Sequence, residues 1–299
     1  MTEHPTRSDQ DLAYFDERRS AEVVAARNGA AADARTAEVL GTLVRHLHAG
    51  IREAAVTPEE WLAAIQFLTR TGQICTDWRQ EFILLSDILG VSMLVDAINH
   101  HRPDGATENT VLGPFYVPDA PRYASGENIC LDGKGEPMLV RGRVIDGEGR
   151  PVPGATLDVW ATNDDGFYDV QQQDVQPANN LRGVFTAEAD GRYWFRTVKP
   201  RFYPIPDDGP VGELLRALDR SVNRPAHLHF IVTAPGYDRV VTHIFMPDCD
   251  YLPTDAVFGV KSSLIAQTEH VDDAAEAKRV GLPNPFWRVD WDFVLVPTA

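Results

Sequence analysis

The chain has 299 residues, 43% of them hydrophobic and 24% charged, the make-up of an ordinary globular protein with room for one large domain or two modest ones. A formal net charge of −16 without a basic stripe argues against a nucleic-acid partner, and no stretch of about 18 apolar residues is present to form a membrane span. Three scattered cysteines, Cys75, Cys130 and Cys249, argue against a disulfide framework or a cysteine zinc site.

The first twenty residues are polar and acidic, with no apolar core, so we read no secretory signal and expect a cytoplasmic protein. The chain up to about residue 102 reads as helical. AEVLGTLVRHLHAGI is amphipathic. In TPEEWLAAIQFLTRTG, Thr57 caps, Pro58 takes the first helical position and Glu60 completes a capping box. Trp61, Leu62, Ile65 and Leu68 form its apolar stripe, and Gly72 is expected to stop it. WRQEFILLSDILGVSMLVDAIN is apolar nearly all round and predicts one buried helix, covered by another domain or by a second subunit. His46, His48, His100 and His101 fall in or at the end of this half and read as solvated or structural.

Turn residues in HHRPDGATENT end the helical pattern. Beyond them MLVRGRVID, ATLDVWATND, RYWFRTV, AHLHFIVTA, RVVTHIFM and RVDWDFVLV read as strands separated by Gly, Pro, Asp and Asn clusters. Strands without regularly interleaved helices predict an antiparallel β-sandwich. One helix, GPVGELLRALDRS, interrupts them. The fold class is therefore mainly β with α: residues 1–105 as a helical N-terminal domain and 106–299 as a β-sandwich domain.

Within RPAHLHFIV, His227 and His229 alternate with Leu228 and Phe230. In a strand, positions i and i+2 share a face about 6.6 Å apart, so the pair can clamp a metal. A hydrogen-bonded surface pair is the competing reading of these two residues alone. Tyr168, in GFYDVQ, and Tyr203, in RFYPIPDDGP, each follow a strand directly, in loops of the kind that carry functional side chains. Tyr193, Tyr237 and Tyr251 read as core.

GFYDVQ, RFYPIPDDGP and RPAHLHF, in that order, together with Leu112-Gly113-Pro114-Phe115-Tyr116 and the run GRVIDGEGRPVPGATLDVW, resemble the intradiol ring-cleavage dioxygenases. The resemblance covers most of residues 109–260. It implies one Fe(III) per subunit held by Tyr168, Tyr203, His227 and His229. Phenolate is a hard anionic donor suited to ferric iron, and a bound cation keeps phenols ionised. An extradiol-type ferrous centre takes two His and a carboxylate, a pattern not seen here. The resemblance also implies a catechol-type substrate opened by O₂, Tyr203 taking a substrate proton, and Arg224 as a fixed cation beside the ring. On residues alone, Arg224 reads as a strand-end surface ion pair.

PIPDDGP, VTHIF and DAVFGVK look most like the hydroxyquinol (benzene-1,2,4-triol) 1,2-dioxygenases, where catechol enzymes usually carry glutamine at the position of His243. Carried over by motif, the substrate lining is Leu84, Asp87, Val111, Leu112, Gly113, Pro114, Ile205, Pro206, Arg224 and Val257. Asp87 suits a third substrate hydroxyl, since a carboxylate in an apolar helix needs a hydrogen bond, although on residues alone a bond to a neighbouring helix or loop fits as well. His243 reads as a neighbour of the ligands or as core. The resemblance further implies a homodimer through the N-terminal helices and a phospholipid in a tunnel at that interface. A plain catechol or chlorocatechol substrate is the first alternative. A non-catalytic β-sandwich binding module with an incidental histidine pair is the second.

Overall fold

Asp33 opens the longest helix by accepting hydrogen bonds from the backbone N–H groups of Arg35 and Thr36. That helix, α2 (Ala34–Glu53), follows α1 (Ser20–Asn28) and precedes α3 (Pro58–Gln73). The expected capping box is present: Thr57 N donates to Glu60 at 2.8 Å and Glu60 N to the Thr57 hydroxyl at 3.2 Å. Gly72 does not end α3 but lies inside it, where a Cβ would stand 3.4 Å from the Phe82 ring. The computed structural model describes residues 14–29, 31–77 and 79–298. Most of the polar N-terminal stretch, and Trp78 at the head of the apolar run, lie outside them. The chain divides into two compact units, one ending at Arg70 and the other beginning at Thr71.

The apolar run is two helices, α4 (Glu81–Ile88) and α5 (Val91–Asn99), not one. Gly90 between them takes φ 71°, a left-handed turn that breaks the helix and that glycine adopts without strain. Nor is the run buried within its own chain. Phe82, Ile83, Leu89, Val91, Leu94, Val95 and Ile98 are exposed, as are Leu43 and Leu47 of α2 and Trp61 and Leu62 of α3. The buried side of α4 carries Ile88 and Glu81. Ile88 packs with Ile205, Val211, Leu215, Ala256 and Val257. Glu81 accepts from Val211 N at the start of α6 (Pro210–Ala217), the helix expected there. No helix among the described residues is long and apolar enough to cross a membrane.

The strand region forms two facing sheets. One joins β1 (Pro137–Asp146), β4 (Arg192–Val198), β9 (Thr268–Val271), β10 (Phe286–Asp290) and β11 (Phe293–Leu295). The other runs β3 (Arg182–Thr186), β2 (Thr156–Ala161), β7 (His227–Thr233), β8 (Val240–Phe245). A two-stranded ribbon, β5 (Tyr203–Pro204) with β6 (Asn223–Arg224), stands apart, and helix α7 (Ala274–Val280) precedes β10.

The sandwich is mixed where full antiparallel pairing was expected, because β10 and β11 both run parallel to β1. RVDWDFVLV is also split. Trp291 bends across β1 with its carbonyl where a Cβ on Gly142 would stand, 1.7 Å away. Only glycine at 142 permits that crossing. Between the sheets lie Val140, Phe195, Val289 and Phe293 from one side and Leu157, Val159, Phe185, Leu228, Phe230 and Val232 from the other.

Candidate metal centre

The period-two alternation of β7 explains its two imidazoles. Leu228, Phe230 and Val232 point into the core between the sheets. His227, His229 and Ile231 point the other way, and there Ile231 packs with Trp160, Tyr168 and Tyr203. That second face is roofed by the tyrosine segments, so both histidines are buried. The surface-pair reading of His227 and His229 therefore fails.

Each tyrosine is placed by its own local structure. Asn163 Oδ1 accepts from Asp165 N and Phe167 N, turning the chain after β2. Gly166, at φ 85°, sits so close to the Phe202 carbonyl that a Cβ would lie 2.7 Å from that oxygen. The two tyrosine segments thereby pack against each other. Tyr168 begins a 3₁₀ turn, Asp169–Gln171, with Gln171 accepting from its backbone N–H. Asp169 is held in a buried ion pair with Arg182 of β3 (Nε to Oδ1 2.6 Å) and also accepts from Asn179 N. Tyr203 is not in an open loop as expected; it forms the β5–β6 ribbon opposite Arg224. Both phenols are buried.

Four predicted ligands converge. The Tyr168 hydroxyl lies 2.6 Å from His229 Nε2, and His229 Nε2 lies 3.1 Å from His227 Nε2. Tyr203 stands edge-on to Tyr168, with ring centroids 5.3 Å apart. His227 Nδ1–H donates to the Pro225 carbonyl at 2.6 Å, which leaves its Nε2 a bare lone pair aimed inward. The Tyr168 oxygen and the Nε2 atoms of His229 and His227 thus crowd together at contacts of 2.6 and 3.1 Å, an arrangement that a shared cation suits.

Burial, then the Arg224 charge, pushes the pKa of His227 well below the usual range; burial, then His243, His227 and Arg224, does the same for His229. Both are thus neutral imidazoles at physiological pH, able to offer a lone pair. Burial, with Tyr203 adding to it, pushes the Tyr168 phenol well up, the direction that a bound cation reverses. These donors fit a metal ion, and the site is a metal site.

His243 is closer to this centre than the sequence suggested. It sits opposite His229 in the β7–β8 register, and the three imidazoles each offer a nitrogen within 4.8 Å of the others. Its Nδ1 lies 3.5 Å from Arg224 Nη2. Arg224 is buried, donates to Asp255 (Nε to Oδ1 3.2 Å), and places Nη1 3.4 Å from the Tyr203 hydroxyl. Burial works against its charge, but Asp255 and the two phenols outweigh that and hold its pKa above the ordinary value. The surface ion-pair reading of Arg224 does not hold.

Of the expected lining, Leu84, Ile205 and Val257 pack in one apolar cluster. Burial raises the pKa of the Asp87 carboxyl, with Ser92 and the Arg224 charge acting against it and Asp255 adding to it. Gly113 lies against His229, a Cβ there reaching 3.2 Å from Cε1. Val111 is half-buried beside it, whereas Leu112, Pro114 and Pro206 are exposed. A cleft of about 700 Å³ lined by His100, His101, Arg102, Lys261 and Asp292 contains none of these residues.

Several residues at the site escaped the sequence reading. Trp160 lies flat on His229 (4.5 Å, 12°), and Phe115 stacks on Tyr168 (4.5 Å, 23°). Asp169, adjoining Tyr168 in GFYDVQ, and Asp255, two residues before Val257, were both within quoted motifs. Their pairings with Arg182 and Arg224 are visible only in the fold.

Residues 33–107 match the family described as "Catechol dioxygenase N terminus" and residues 111–297 that described as "Dioxygenase". The chain is 60% identical over 286 residues to hydroxyquinol 1,2-dioxygenase of Rhizobium sp. (strain MTP-10005), covering 95% of this chain and 97% of that protein. It is 49% identical to 6-chlorohydroxyquinol 1,2-dioxygenase of Cupriavidus pinatubonensis, covering 96% and 100%. The crystal structure of hydroxyquinol 1,2-dioxygenase from Pseudomonas putida DLL-E4 superposes with a TM-score of 0.89 at 47% identity, covering 94% of this chain and 99% of that one. An intradiol ring-cleavage dioxygenase of Aspergillus niger is 43% identical over 269 residues, covering 90% and 81%. On sequence, fold and the buried donors together, the chain belongs to the intradiol ring-cleavage dioxygenases.

Proposed function

We propose that the chain cleaves the ring of hydroxyquinol between its adjacent hydroxylated carbons with O₂, using one Fe(III) per subunit, to give 3-hydroxy-cis,cis-muconate and its tautomer maleylacetate. The observation that carries this reading is the convergence of Tyr168 and two Nε2 atoms within 3.1 Å contacts, beside Tyr203, all of them buried. The ligand set is Tyr168, Tyr203, His227 and His229. His243 stays outside it because its Nδ1 faces the Arg224 cation. When bound, ferric iron supplies Lewis acidity to the substrate's paired oxygens. Tyr203 accepts one of the substrate's hydroxyl protons, with Arg224 Nη1 beside its oxygen. Arg224 also sets a fixed positive charge against the electron-rich ring, a donor worth several kcal/mol (about 3–4) in a water-poor site. Leu84, Ile205 and Val257 hold the ring's apolar edge, while Val111, Leu112, Gly113, Pro114 and Pro206 border the entry. Asp87 takes the third hydroxyl.

The purified protein should be red-brown from phenolate-to-iron charge transfer. Tyr203→Phe should weaken the band, whereas Tyr193→Phe, whose hydroxyl donates to the Trp291 carbonyl in the core, should leave it intact. Hydroxyquinol should be turned over faster than catechol; equal or faster use of catechol would transfer the assignment to a catechol or chlorocatechol substrate and cancel the role of Asp87. The names of the relatives support the triol.

The division at residue 105, a homodimer and a co-purifying phospholipid belong to the same reading. Support comes from the exposed apolar residues Leu43, Leu47, Trp61 and Leu62, and from Leu94 and Ile98. Native mass spectrometry is expected to show a dimer carrying lipid; lipid-free monomer alone would remove both claims.

A further inference from the structure

The segment Asp255–Gly259 closes on the Arg224 guanidinium from two sides. Asp255 Oδ1 accepts from Arg224 Nε and from Val257 N (3.3 Å), and Oδ2 accepts from Gly259 N at 2.8 Å. Both partners of the ion pair are only 3% exposed. Gly259 comes so near that a Cβ would stand 2.7 Å from Arg224 Nη2. Phe258, at φ 58°, makes the bend that brings the glycine N–H back to the carboxylate. The segment is itself fixed. Ala256 N donates to the Asn223 carbonyl, next to Arg224, and Arg220 donates to the carbonyls of Ala256 (3.0 Å) and Ile88 (2.6 Å).

An arginine side chain swings freely unless its fork is held. Here one nitrogen is anchored on Asp255, which frees the other two to reach Tyr203 and His243. We propose that Asp255 is a positioning residue that aims Arg224 at the reacting centre, with Gly259 setting how deep the guanidinium lies. The inference rests on the reading that Arg224 acts on the bound ring. Asp255 touches neither the metal donors nor, on that reading, the substrate.

The test uses the iron-loaded protein. Asp255→Asn keeps the shape and removes the charge, and kcat should fall about a hundredfold, the scale of a roughly 1 Å misplacement. The tyrosinate band and the anaerobic Kd for hydroxyquinol should hold. Gly259→Ala should lower kcat in the same way by steric displacement. In an Arg224→Lys background, Asp255→Asn should add little, because its effect passes through the guanidinium. Unchanged kcat in Asp255→Asn, losses that multiply in the double variant, or loss of the tyrosinate band each overturn the proposal. If Asp255→Asn does not fold, Gly259→Ala decides, and unchanged kcat in it overturns the proposal equally. Failure of the parent reading looks different: the unaltered protein would then show neither the band nor turnover.

Discussion

His229→Ala is expected to strip the centre of its metal and abolish ring cleavage. His229 is the hub of the site: the Tyr168 hydroxyl lies 2.6 Å away, His227 Nε2 3.1 Å away, and the Trp160 ring flat against it. Its truncation removes one donor, leaves a buried phenol without its acceptor, and opens a void under Trp160. Loss of a residue outside a coordination sphere typically weakens metal binding or activity by roughly 10–100-fold, and loss of a donor should exceed that. Iron content after dialysis and the charge-transfer band measure it. His243→Ala is the control that separates two versions of the centre. With two phenols and two imidazoles as donors, it keeps its iron. If both variants lose metal alike, the three-imidazole cluster is the true donor set.

Breaking the pair beneath Tyr168 should have the largest effect on stability. Arg182 and Asp169 are both buried, and Asp169 also accepts from Asn179 N. Removing one partner strands a charge in the interior, which costs about 3–5 kcal/mol. Arg182→Met should therefore lower the melting temperature by roughly 10 °C, taking about 2–4 °C per kcal/mol for a domain of this size. Asp169→Asn should fall in the same direction. The double variant Arg182→Met/Asp169→Asn should lose less than the sum, since neither charge is then left alone. A cost under about 1 kcal/mol for Arg182→Met would mean that the charge finds water after all.

The local chemistry of the chain was readable where short-range rules govern it. Thr57 and Glu60 form the capping box because both donors lie within one turn. The alternation through His227 and His229 placed both rings on one face of a real strand. What escaped depends on distant partners. Nothing near Phe286 announces that its strand will lie parallel to β1, since that pairing joins residues about 150 apart. The single long helix seen in FILLSDILGVSML fails at Gly90, whose left-handed turn was available to it but not demanded. His243 comes into register with His229 only once β8 folds back on β7. Asp255 could not be matched with Arg224 without the bend at Phe258.

Strand β7 divides its labour by side. Leu228, Phe230 and Val232 serve the interior, while the donor pair belongs to the opposite surface. A one-residue shift in pairing would exchange the two sets, driving imidazoles into the hydrophobic filling and aliphatic groups toward the ion. Loss or gain of a single codon within 227–233 should therefore damage fold and reactivity at once. On the proposed reading, the walls around the ring come from other segments, including the apolar cluster of Leu84, Ile205 and Val257. New substrate tastes can thus evolve by altering those walls while the strand stays frozen.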